Sequence, residues 1–157
     1  MPGEKVIGFA ATGSRVSVTT DFGRVVALDA RSGDRLGASP LIAPLSREDL
    51  VPIGDGVVVY RRGGTLANTD PVTGRDRWAV HVGRQPRDVT MTAGRLWVLL
   101  AEPGAGRDEL RALDPGSGRL VARIALPADD ARAITPAGVA PLVTTDGGDL
   151  IAVRPTP

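Results

Sequence analysis

Ala27-Leu28-Asp29-Ala30-Arg31-Ser32-Gly33 is the first of three copies of a short turn-forming pattern in this chain of 157 residues. The pattern is an aspartate, a serine or threonine three positions later, and then a glycine. It returns at Asp70-Pro71-Val72-Thr73-Gly74 and at Asp114-Pro115-Gly116-Ser117-Gly118, with the aspartates spaced 41 and then 44 residues apart. Such a regular return predicts repeated supersecondary units of about 40 residues.

A fourth unit is indicated by a direct match between the two ends of the chain. Residues 9–28 align without a gap on residues 134–153, a shift of 125 residues, or about three repeats. The match places Thr19-Thr20-Asp21 on Thr144-Thr145-Asp146 and Gly23 on Gly148. Two further copies fit between the ends, so the sequence predicts four units in all.

Each unit is predicted to form short antiparallel strands, because β-branched runs such as Val57-Val58-Val59-Tyr60 are bounded by glycines. A four-stranded antiparallel unit of this length is typical of one blade of a β-propeller, which buries its faces against neighbouring blades. We therefore predict an all-β propeller. The blades span residues 5–41, 49–83, 88–127 and 131–154, and the last blade lacks its outer strand because Pro155-Thr156-Pro157 follows its third strand.

The amino-acid composition excludes several classes of protein and of binding partner. Hydrophobic residues make up 42 % of the chain, which excludes a disordered protein, and the absence of cysteine excludes disulfides, thiolate catalysis and cysteine-bound zinc. The 19 basic and 18 acidic residues give no basic excess, so no nucleic-acid partner is predicted. No apolar run approaches membrane-spanning length, and the first residues do not resemble a signal peptide. The chain as written is expected to be cytoplasmic, or extracytoplasmic if it is a segment of a longer chain.

The Asp-x-x-Ser/Thr-Gly copies resemble the repeat of the quinoprotein-like (PQQ-like) β-propeller family, which reads Ala-x-Asp-x-x-Thr-Gly with a tryptophan four residues further on. The tryptophan is present once, at Trp78, in the copy where Asn68 replaces the alanine. Gly37 and Ala122 hold its position in the other copies. In the family this tryptophan packs one blade on the next, so its loss implies looser contacts between blades here.

The resemblance allows several functions. Some family members are quinone-dependent dehydrogenases, whose cofactor site implies a larger ring with calcium and often a vicinal disulfide. Others are outer-membrane assembly scaffolds or extracellular sensor domains attached to kinases. With no cysteine and no dense acidic cluster in the sequence, we predict no cofactor, metal or catalytic residue and a non-catalytic protein-binding or assembly scaffold. The alternatives are a sensor or ligand-binding propeller of a larger receptor, and a quinone-cofactor oxidoreductase.

The repeated turns are interpreted as structural. Each aspartate is expected to accept hydrogen bonds from amides of its own turn, and each closing glycine to adopt a positive φ. The turn residues are Asp29, Gly33, Asp70, Gly74, Asp114 and Gly118. The single histidine, His81, is expected at the surface, and Asp146-Gly147-Gly148-Asp149 is expected to form a hairpin turn rather than a calcium loop.

Alternating strand directions place the second-to-third-strand loops and the connections between blades on one face, called here the loop face. Loops that vary on a rigid scaffold commonly carry binding sites. The candidate partner contacts on this face are Arg61, Arg62, Arg84, Arg87, Glu102 and Arg107. The predicted partner is a protein or further propeller blades. Because the last blade lacks a strand, the chain is expected to belong to a larger ring, to form a homodimer that completes one, or to close a four-blade ring by itself.

Overall fold

The computed structural model describes residues 3–39, 50–61, 63–101, 106–138 and 140–153. These residues form fifteen strands and no helix, and the strands lie in four antiparallel sheets, each in sequence order. Two compact units divide the chain, Met1–Arg84 and Gln85–Pro157. The predicted all-β class and its four sheets are confirmed.

The first unit contains two four-stranded sheets. Blade one consists of β1 (Val6–Thr12), β2 (Arg15–Thr20), β3 (Val25–Asp29) and β4 (Arg35–Ala38). Blade two consists of β5 (Val51–Ile53), β6 (Gly56–Arg61), β7 (Thr65–Thr69) and β8 (Asp76–His81).

The second unit contains one four-stranded and one three-stranded sheet among its described residues. Blade three consists of β9 (Asp88–Thr92), β10 (Arg95–Leu100), β11 (Glu109–Leu113) and β12 (Leu120–Ala125). Blade four consists of β13 (Ala131–Ala137), β14 (Ala140–Thr145) and β15 (Leu150–Ala152).

One irregularity recurs in each four-stranded blade. The register between the third and fourth strands shifts at Ala27/Leu28, at Asn68/Thr69 and at Ala112/Leu113, always just before the Asp turn. A bulge of this kind bends a strand and raises its local twist. The repeat in sequence is therefore matched by a repeat in backbone detail.

Blade one and blade two share a core of small aliphatic side chains. Its buried members are Ala10, Val25, Leu50, Val57, Val59 and Ala67. Beside it, a Cβ placed on Gly37 would lie 2.4 Å from the backbone oxygen of Val72, in the Asp turn of blade two. No side chain fits there, so β4 approaches blade two by its backbone. The expectation of a looser contact where glycine replaces tryptophan is wrong at this position.

Blade three and blade four share a core of larger side chains. Its buried members are Trp97, Leu99, Leu110, Ala112, Leu126, Ala131, Ile134, Val143 and Val153, and Ala122, at the family's tryptophan position, packs against it partly buried. Two carboxylates also fasten β13: Asp88 Oδ2 accepts from the Ile134 amide and Asp108 Oδ2 from the Ala131 amide, both at 2.7 Å. Charge-assisted bonds of this length are strong.

Candidate functional site

The three Asp-x-x-Ser/Thr-Gly turns, called here the Asp turns, are alike. In each of them the aspartate accepts hydrogen bonds from amides of the same turn. Asp29 Oδ1 accepts from the amides of Arg31 and Ser32, both at 2.9 Å, and these bonds, that from Ser32 foremost, hold the pKa of Asp29 below its usual value. The closing Gly33 has a φ of 77°, which favours glycine. Asp29 Oδ1 is therefore engaged within its own turn, as a structural role requires.

The other two turns repeat this geometry. Asp70 Oδ1 accepts from the amides of Val72 and Thr73 at 2.8 and 3.2 Å. Asp114 Oδ1 accepts from the Ser117 hydroxyl at 2.7 Å and from its amide at 2.9 Å, which lowers the pKa of Asp114. Three separate turns with the same internal bonding provide no cluster of carboxylates.

In the first unit the loop face carries an exposed aromatic residue. Phe22 lies in the hairpin between β2 and β3 and is 59 % exposed. The hairpin is held to the segment before β1 by the Asp21 amide bonding to the Lys5 carbonyl at 2.9 Å and by the Lys5 amide bonding to Asp21 Oδ1 at 3.0 Å. Arg24 adds an ion pair to Glu4 at 3.2 Å. Phe22 is therefore displayed on an anchored loop.

The sequence interpretation missed Phe22. Its signal was available, because only two phenylalanines occur in the chain and this one lies between Asp21 and Gly23, in a turn where apolar burial is not expected. Aromatic side chains on protein surfaces are a common mark of contact sites.

The basic residues predicted in the first unit are placed differently from one another. Arg61 is bound by Asp76, with guanidinium–carboxylate distances of 2.5 and 2.6 Å, and its Nη2 also contacts the Thr69 hydroxyl at 3.4 Å. Arg61, a candidate partner contact, is therefore paired with an acidic residue of its own sheet. Arg84 is half-buried, and Arg62 lies outside the described residues. His81, the last residue of β8, is exposed.

In the second unit the loop face carries a group of alternating charge. Asp146, in the hairpin between β14 and β15, contacts Arg87 at 3.2 Å and Arg132 at 3.8 Å. Asp130 supports the same hairpin by accepting from the Gly147 amide at 3.1 Å. The structure thus brings Arg87 together with two residues, Asp146 and Arg132, that were not predicted as contacts. Arg107 is exposed on the neighbouring loop, and Glu102 lies outside the described residues.

Metal-binding and membrane-spanning features are both absent from the described part of the chain. Within residues 3–39, 50–61, 63–101, 106–138 and 140–153, no group of three or more histidine, cysteine, aspartate or glutamate residues could hold a metal ion. The same ranges contain no helix of the length and apolarity required to span a membrane.

Comparison with known proteins identifies the repeat. The model of the family described as outer membrane protein assembly factor BamB matches residues 3–154. Among curated proteins, none matches the chain significantly. The fold is shared with solved structures at low identity.

Three solved structures illustrate the likeness. The computationally designed Ika4 protein is 14 % identical with a TM-score of 0.74, over 98 % of this chain and 92 % of that one. BamB from Moraxella catarrhalis is 14 % identical with a TM-score of 0.73, over 95 % of this chain but 43 % of its own. BBS1N in complex with ARL6DN is 18 % identical with a TM-score of 0.74, over 94 % and 50 %.

The chain thus spans half or less of the BamB and BBS1N chains. The four antiparallel sheets and these matches establish four blades of the β-propeller class. Since the family model covers nearly all of the sequence, the chain belongs to the PQQ-like repeat family of β-propellers described as outer membrane protein assembly factor BamB.

Proposed function

We propose that the chain is a non-catalytic protein-binding or assembly module, and that its loop face contacts the partner. The observation that carries this proposal is Phe22, an aromatic ring 59 % exposed on a hairpin held by two backbone-anchored bonds. A rigid, exposed aromatic loses little conformational entropy on binding and buries a large apolar area. The opposite face has a pocket of about 550 Å³ at the Asp turn of blade one, lined by Gly13, Ser14, Asp29, Ala30 and Arg31, but its turns carry no exposed aromatic residue among the described residues.

The charges on the loop face favour a protein partner over a polyanion. Arg24 is paired with Glu4, and Arg87 and Arg132 share Asp146. Alternating signs of this kind can set the register of a protein partner, whereas nucleic acid is bound by clustered basic groups. With 19 basic and 18 acidic residues, the chain as a whole has the same balance.

The comparisons support the same class of function. The matching family is described as an assembly factor, and the BBS1N propeller was solved in a complex with ARL6DN. Loops on a rigid scaffold commonly carry binding sites, and we extend that use to the loop face of this chain. A second copy of this chain is a further proposed partner, through the faces of its end blades instead of its loops.

The test is site-specific photo-crosslinking in cells that produce the protein. A benzophenone amino acid replaces Phe22 in one variant and Arg31, on the Asp-turn face, in a matched control, since both residues are exposed in hairpins of blade one. We expect a defined adduct from position 22, identified by mass spectrometry, and none from position 31.

The identified partner is then purified and titrated. Phe22→Ala is expected to weaken its binding by at least ~10-fold, the loss of a typical contact hot spot, and Arg31→Ala to leave it unchanged. Equal crosslinking from the two positions, or equal affinity of the two alanine variants, would refute the loop face as the contact surface.

A further inference from the structure

The contact between blades three and four shows which residues a blade uses on each side. Blade three contributes Trp97 and Leu99 from β10, and Leu110 and Ala112 from β11, all at most 2 % exposed. In the register of the sheet, Trp97 pairs with Ala112 and Leu99 with Leu110, so these four side chains share one face.

Blade four meets this face with Ile134, Val143 and Ile151, which pair across the sheet in that order. Ile134 is 6 % exposed and Val143 is fully buried, while Ile151 packs against the same core partly buried. Each blade therefore has a leading face, like that of blade three, and a trailing face, like that of blade four.

The leading face of blade four is uncovered. Leu142 pairs with Ala152, as Trp97 pairs with Ala112 in blade three. Thr144 pairs with Leu150, as Leu99 pairs with Leu110. Here, however, Leu150 is 68 % exposed, Ala152 is exposed and Leu142 is half-buried. The positions that are sealed in blade three lie open in blade four.

The trailing face of blade one is uncovered at its inner edge. Phe9 pairs with Val18, and Val18 with Val26, as Ile134 pairs with Val143 and Val143 with Ile151 in blade four. Phe9 is 65 % exposed, against 6 % for Ile134 at the equivalent position, and Val18 is half-buried, while Val26 on the third strand is only 2 % exposed. The open part of this face is therefore formed by Phe9 and Val18. An exposed phenylalanine on a regular strand marks an apolar surface that a partner would cover.

We propose that these two faces are an interface between two copies of this chain: the leading face of blade four in one copy packs on the trailing face of blade one in the other. The contact would repeat the one between blades three and four. Phe9 would take the place of Ile134, and Leu150 that of Leu110.

The repeat favours a second copy as the occupant, because blade one of a second copy presents the strand register with which blade four packs on blade three. Two copies related by a twofold axis would form the contact twice, which closes the assembly and leaves neither face open. A contact that formed without closure would instead give open chains of many copies.

The first measurement is the solution mass of the purified protein by sedimentation at high micromolar concentration. We expect twice the 16.3 kDa of one chain. The mass of one chain at every concentration overturns the proposal, and so does a series of larger open assemblies.

Charged variants then locate the contact. Phe9→Arg and Leu150→Glu change side chains that are 65 % and 68 % exposed within one copy, so each chain is expected to fold. Each variant alone should raise the dimer dissociation constant by at least ~10-fold, because it would bury an unpaired charge. Leu120→Arg, on the outer strand of blade three and 44 % exposed, is the matched control and should dimerise normally.

Mixing the two variants separates a lost contact from a damaged fold. A mixed dimer holds one unaltered contact and confines both substitutions to the other contact, whereas a dimer of either variant alone carries an altered contact twice. Dimerisation should therefore be stronger in the mixture than in either variant alone. Failure of the mixture to dimerise, while both variants keep the wild-type circular dichroism spectrum, contradicts the proposed pairing of these faces.

Discussion

Two contacts between neighbouring blades are built from one repeat but in different ways. Blades three and four meet through large side chains, with Trp97 and Leu110 at most 1 % exposed at the centre. Blades one and two meet mainly through valines and alanines, with Leu50 as the largest side chain of their core and the backbone at Gly37 against Val72. The family's tryptophan is missing from both contacts. Trp97 on another strand fills the contact between blades three and four, and a close backbone approach at Gly37 fills the contact between blades one and two.

This difference shows that one sequence motif does not determine how tightly blades pack. What matters is the volume available between the sheets, which follows from how closely their backbones approach. At Gly37 there is no space for a Cβ atom, while Ala122 at the equivalent position packs partly buried against the larger core of the second unit.

The largest expected effect is in the side-chain contact. Trp97→Ala should lower the free energy of unfolding by about 3–5 kcal/mol, because it removes a buried ring and leaves a cavity. Urea denaturation followed by circular dichroism measures this loss. Leu120→Ala, at a residue 44 % exposed, is the control and should cost less than about 1 kcal/mol. Equal losses for the two variants would mean that Trp97 does not seal this contact.

The backbone contact is broken by the opposite kind of change. Gly37→Ala places a methyl group 2.4 Å from the Val72 carbonyl oxygen, and backbone atoms cannot move away cheaply. The free energy of unfolding should fall by roughly 1–3 kcal/mol, the usual cost of overpacking. The same denaturation experiment is run on Gly116→Ala as the control, since its nearest neighbour would be the Asp114 carboxylate at 3.5 Å. A Gly37→Ala protein as stable as the wild type would show that the blades can separate there without cost.

The smallest effect is expected in the turns, which are alike in the two units. Hydrogen bonds hold the pKa of Asp29 and of Asp114 below the ordinary value, so ionisation of either group favours the folded state. That contribution is fully present above the unfolded-state pKa and disappears as the pH falls through the lower, folded-state pKa. Asp29→Asn and Asp114→Asn should each lower the Tm slightly at neutral pH, and the difference from wild type should shrink in acid. A pH-independent loss in either variant would show that the carboxylate charge is not what stabilises its turn.

Much of this architecture follows from local sequence. Turn aspartates and glycines such as Asp29 and Gly33 act through neighbouring amides, so the blade repeat and its strands could be predicted without tertiary information. The contact at Gly37 could not, because a missing side chain indicates a gap as readily as a close approach. Pairing of Arg61 with Asp76 depends on side-chain direction across three strands, which strand prediction does not supply.

The sequence indicated a loop face as the candidate site but not the side-chain contacts within it. Arg87 was named from its place between blades, but its partners Asp146 and Arg132 come from strands far along the chain and could not be found by spacing. Phe22 does not follow from charge patterning, because an uncharged ring in a turn adds nothing to the charge of the loop.

Hydrogen exchange of the unaltered protein, followed by mass spectrometry of peptides, tests most directly whether the two contacts between blades are packed differently. A contact filled by large side chains should open less often than one made of small side chains and close backbones. The amides of β10 and β11 are therefore predicted to exchange more slowly than the equivalent amides of β2 and β3. Equal protection of these two strand pairs, or faster exchange in β10 and β11, would contradict the account.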